Sequence, residues 1–139
     1  MKDFKYCVWA SPDKNHEWYK YTKGFEPHLS IKTNTNVEDA INIVNKLENE
    51  QIHVTLCNNL IYEIEDGFRS LFCYIFTDNN HKLIPKDAHV SFMYSYRDIL
   101  DHEIEEIEKS IEIKTAVLTR FRIFKCTGHF KDWKEVNQQ

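Results

Sequence analysis

The chain has 139 residues, 42% of them apolar and 29% charged, with a formal charge of −4. That size and balance fit one folded globular domain, long enough to bury a real core and expected over residues 1–139. No stretch nears the apolar length of a bilayer span, the opening MKDFKYCVWASPDK lacks a secretory apolar run, and the four cysteines lack C-x-x-C spacing, so free core thiols and a cytoplasmic location are expected.

FKYCVWAS, residues 4–11, alternates and is rich in aromatics, which predicts a strand. A polar loop follows with Trp18, Tyr19, Tyr21 and Phe25, and HLSIKT is a second strand. Asn36 reads as an N-cap with Asp39 three residues on, opening a helix whose apolar stripe is Val37, Ala40, Ile41, Val44 and Leu47. IHVTLCN is a strand, and residues 59–78 read as a hairpin turning near Asp66-Gly67. AHVSFMYS is the next strand, followed by an acidic helix over residues 98–111 and a long strand KTAVLTRFRIFKCTG, with a break suggested near Thr119. The tail HFKDWKEVNQQ is expected to dock through Trp133. The order β-β-α-β-β-β-β-α-β repeats a strand-strand-helix unit, and helices on one side of mostly antiparallel sheet give an α+β class.

Each copy of that unit carries one H-x-S: His28 and Ser30 in EPHLSIKTN, His89 and Ser91 in DAHVSFMYS. On a strand, residues two apart share a face, so each histidine projects with its serine while Leu29, Ile31, Val90 and Phe92 point toward a core. If the two polar faces line one cleft, two imidazoles and two hydroxyls converge. One neutral imidazole takes a proton, a protonated one gives a proton back, and hydroxyls donate to phosphate oxygens; no metal is needed for that chemistry.

These paired motifs, each on a strand with apolar flanks and separated by a helix and further strands, resemble the 2H phosphoesterase superfamily, the LigT-like cyclic phosphodiesterases and RNA ligases. The resemblance spans most of the chain and implies a two-lobed fold whose sheets line a central cleft. It implies His28 and His89 as the acid/base pair, Ser30 and Ser91 as phosphate-binding hydroxyls, and no cofactor. Serine stands at both sites where threonine is commoner, and the interval between the motifs is short for the superfamily. Compact members include viral and phage antagonists of host defence that degrade 2′-5′ oligoadenylates or cyclic oligonucleotides, and the Asn/Lys/Ile-rich composition leans toward such an enzyme acting in a host cytoplasm. The expected partner is a nucleotide or short oligonucleotide. Long duplex nucleic acid is disfavoured by the net charge, and no membrane partner is expected. The rival class is a binding module that captures a nucleotide or RNA end in the same cleft without turnover.

HVT at His53–Thr55 competes for the role of second motif, but it follows the first helix directly, with no room for a second lobe. Tyr94, Trp18 and Phe25 are candidates to stack on a base, and Arg120 and Arg122, two apart on one strand, to meet a phosphate. His16, His81, His102 and His129 read as solvent-facing. No pair of histidines or cysteines has structural-zinc spacing.

Overall fold

The computed structural model describes residues 5–22, 25–57, 59–77, 82–127 and 130–136, the side chain at 131 aside. His81 and His129 lie outside those residues. The elements are strand β1 (Tyr6–Pro12), helix α1 (Trp18–Tyr21), β2 (His28–Thr35), α2 (Val37–Leu47), β3 (Ile52–Leu56), β4 (Ile61–Glu65), β5 (Phe68–Thr77), β6 (His89–Ser95), α3 (Asp101–Ser110), β7 (Thr115–Lys125), a 3₁₀ turn (Phe130–Asp132) and β8 (Lys134–Glu135). The expected order is present, with the short α1, the 3₁₀ turn and β8 added.

The named strands pair antiparallel throughout. The neighbours run β1-β2-β6-β5-β3-β7-β8, with β4 on β5, and β1 also pairs β7. The ladder therefore returns to its start. One eight-stranded α+β sheet stands where two lobed sheets are expected, because β2–β6 at one junction and β7 at the other join the halves by hydrogen bonds. β7 serves both halves: Thr115–Leu118 pair β3, and Leu118 together with the residues from Arg120 to Lys125 pairs β1, with an irregularity at Thr119.

One sheet face is the core. Val8, Ala10, Leu29, Ile31, Val90 and Phe92 bury there against Ala40, Val44 and Leu47 of α2. Asn36 caps that helix, its side chain accepting from the Asp39 amide at 2.8 Å. Val37 and Ile41 stay 36% exposed, so the buried stripe is narrower than the sequence suggests. The acidic helix starts three residues later than expected. Asp98 is drawn to Arg69 Nε at 2.8 Å, while Arg97 grips Glu103 with two bonds of 2.7 and 2.8 Å and Glu103 caps the Leu100 amide. Gly67 closes the β4–β5 turn at φ 91°, a left-handed conformation that glycine adopts at little cost.

Candidate active site

β2 and β6 are remote in sequence yet hydrogen-bonded neighbours, with His28 across from Ser91 and Leu29 across from Val90. Continued by one residue, this register sets Ser30 across from His89. A local two-fold thus runs through the Leu29–Val90 pair, with His28 paired to Ser91 and Ser30 on the line that extends to His89. Leu29 and Val90 point to the core, so the four polar side chains share the opposite face.

The backbone orients both rings alike. Nδ1 of His28 lies 2.8 Å from the carbonyl of Glu26, and Nδ1 of His89 lies 3.3 Å from that of Asp87. A carbonyl only accepts, so each Nδ1 carries a proton and each Nε2 is left to accept in the neutral ring.

The two rings differ in exposure. His28 is fully buried, while His89 is half-buried. Trp9 stacks on one side of the His28 ring at 3.6 Å and 8°, and Phe25 lies near-parallel on it at 5.5 Å. The Tyr94 hydroxyl donates to Nε2 at 3.3 Å and also bonds Ser91. Burial, reinforced by the charge a protonated His89 would carry, lowers the His28 pKa to about 3. Burial likewise pushes the Tyr94 phenol up. The expectation of two imidazoles lining an open cleft is therefore corrected. Rings from β1, β6 and the loop before β2 close over His28, and Ser91 is buried beside it, leaving His89 and Ser30 nearer the surface.

Phe25 and Tyr94 thus belong to the site as its walls. Trp18 does not: it is fully buried, packs edge-on against Phe92 and donates from Nε1 to the Ile113 carbonyl at 2.8 Å, so it presents no free face to a ligand. Arg120 and Arg122 do reach the site's face, but Glu26 binds both, and Glu135 also pairs with Arg122. Their charge is answered within the protein, which corrects the expectation of a pair open to phosphate. His16 also departs from its solvent-facing reading, bridging the Trp18 amide and the Thr115 carbonyl. β6 and β5 separate His53 on β3 from β2, so His89 is the neighbour of His28.

Sequence reasoning missed Trp9 and Glu26. Alternation along β1 puts Trp9 opposite Val8 and Ala10, which was a usable signal; that β1 lies beside β2 was not. Phe72 is a third addition, its ring 4.5 Å from His89.

Among the described residues no three histidines, cysteines or carboxylates converge as a metal site. A cavity of about 260 Å³ is lined by Leu56, Cys57, Cys73, Glu108, Ile111 and Lys114 among others, and Cys73 donates there to the Cys57 carbonyl. Its wall residue Cys73 pairs with Val90 but points to the core side of the sheet, opposite the paired histidines, whose chemistry is the better guide to a site. No family model matches the chain, and neither the curated proteins nor the solved structures give a match.

Proposed function

We propose that this chain is a metal-independent phosphodiesterase of the two-histidine kind, acting on a 2′,3′-cyclic phosphate, a 2′-5′ oligoadenylate or a cyclic oligonucleotide signal, in the manner of enzymes that degrade antiviral messengers. The observation that carries the reading is the β2–β6 register, which brings two H-x-S pairs together about a local two-fold. His28, kept neutral by burial, is the base: its Nε2 takes the proton of the attacking hydroxyl as that oxygen bonds phosphorus. The bond from phosphorus to the leaving oxygen breaks, and that oxygen takes the proton held at Nε2 of a protonated His89. Ser30 and Ser91 donate to the non-bridging oxygens, where charge concentrates. The Tyr94 hydroxyl holds that place and the Phe25 ring closes over the imidazole, so the reaction requires both side chains to swing aside and admit the substrate hydroxyl to His28 Nε2.

The test is turnover in EDTA against 2′,3′-cyclic nucleotides, 2′-5′ oligoadenylates and cyclic dinucleotides. His28→Asn and His89→Asn, each checked for folding by thermal melt, are expected to lose ~10²–10⁴-fold in kcat. Product formation that survives both substitutions, or none from any substrate with the native chain, overturns the reading.

One observation favours a second reading. A histidine buried completely with both nitrogens bonded is how a structural histidine looks, and it fits a module that binds a nucleotide or RNA end through the more exposed His89 and Ser30. Stoichiometric binding without product across the panel is its signature.

A further inference from the structure

β5 carries a line of three aromatic rings that begins at the site and leaves it. Phe72, Tyr74 and Phe76 alternate along the strand and so share a face. Pairing identifies the face: Tyr74 lies across from His89 on β6, and Phe76 across from Thr55 on β3. Phe72 and Tyr74 meet edge to face at 5.6 Å, and both contact the His89 ring. Exposure climbs along the line from 5% at Phe72 to 43% at Tyr74 and 68% at Phe76. Large rings that exposed are costly to leave in water, and nothing among the described residues covers Phe76.

We infer that Tyr74 and Phe76 form a stacking track for the bases of a single-stranded oligonucleotide, on the leaving-group side of the scissile phosphate. This rests on the phosphodiesterase reading, in which His89 protonates the leaving oxygen. Three points select this occupant over another. The track is continuous with the candidate site through the His89–Tyr74 contact. Rings two residues apart on a strand stand ~6.6 Å apart, close to the step between neighbouring nucleotides of an unstacked strand. Sheet-borne aromatics stack bases of any identity, which suits an acidic chain that disfavours duplex. The substrate class is thereby narrowed to an oligonucleotide with at least two bases beyond the cleaved bond. A cyclic mononucleotide has no group to reach the track.

Calorimetry with phosphorothioate-linked oligoadenylates of one, two and three nucleotides tests this on the native chain, Tyr74→Ala and Phe76→Ala. Phe76 lies mostly in water, so its truncation leaves the fold intact, as a thermal melt verifies. Affinity is expected to rise about tenfold per added nucleotide, and the trimer-to-monomer affinity ratio to fall about tenfold in each variant. A ratio near one in the native chain, or one that Phe76→Ala leaves unchanged, overturns the track. A dimer in sedimentation that Phe76→Ala dissolves, without length-dependent binding, overturns it too and gives the face to a second copy of the chain. Cleavage of normal phosphodiesters is followed separately. Turnover of 2′,3′-cyclic mononucleotides without length dependence removes the track and keeps the enzyme. Length-dependent binding lost in Phe76→Ala, with no cleavage at all, keeps the track as a base-stacking surface and removes the enzyme.

Discussion

Acidification interrogates the closed site directly. Unfolded, His28 titrates near 6.5; folded, burial holds it to about 3. Between those values the unfolded chain binds a proton that the native one does not, so stability rises with pH across the window and falls as pH drops below about 6.5. Each unit of separation is worth about 1.4 kcal/mol, so His28 alone removes about 3 kcal/mol by pH 4.5 and at most about 5 kcal/mol below pH 3. Against a domain stability of ~5–15 kcal/mol, that is a large share. Urea unfolding of the native chain and His28→Asn at pH 7, 6, 5 and 4.5 measures it. The amide can still donate to the Glu26 carbonyl but does not titrate. Carboxylates such as Glu103, held down to about 2 chiefly by its hydrogen bonds from Arg97, contribute equally to both proteins and cancel in the difference. The stability advantage of the native chain over the variant is expected to shrink by about 3 kcal/mol from pH 7 to 4.5. Parallel curves refute the closed site, and so does an NMR titration placing His28 near 6.5.

Trp9→Ala removes the ring stacked 3.6 Å from His28; it is expected to cost ~3–5 kcal/mol in denaturant unfolding and to raise the His28 pKa, followed by histidine NMR. Glu26→Gln leaves Arg120 and Arg122, whose side chains are 20% and 19% exposed, without the carboxylate they share. A loss of ~1–3 kcal/mol is expected, and one below ~0.5 kcal/mol assigns the pair to the weak class of surface bridges. Asn36→Ala removes the cap on α2 and is expected to cost ~1 kcal/mol by the same unfolding assay.

Local chemistry was legible because its causes lie within a few residues. The two-residue period placed each histidine with its serine, Asn36 announced the start of α2, and Asp66-Gly67 turned the hairpin between β4 and β5. The break suggested at Thr119 is absent: β7 runs unbroken from Thr115 to Lys125, and only its pairing with β1 slips there. The start of the acidic helix was misjudged, because Asp98 answers to Arg69 across the sheet and not to its own helix. Trp18 was misplaced for a similar reason: a loop tryptophan looks free until Ile113 and Phe92, far along the chain, fold around it.

By itself, then, the sequence determined the order of the longer strands and helices and which side chains share a face, since strand and helix periods are properties of the local backbone. Only the tertiary structure decided that His28 faces Ser91, that Trp9 and Phe25 shut the imidazole from water, and that Glu26 claims both arginines. Those outcomes depend on which strands become neighbours and in what register, and that is settled by the packing of the whole core, which no short stretch of chain encodes.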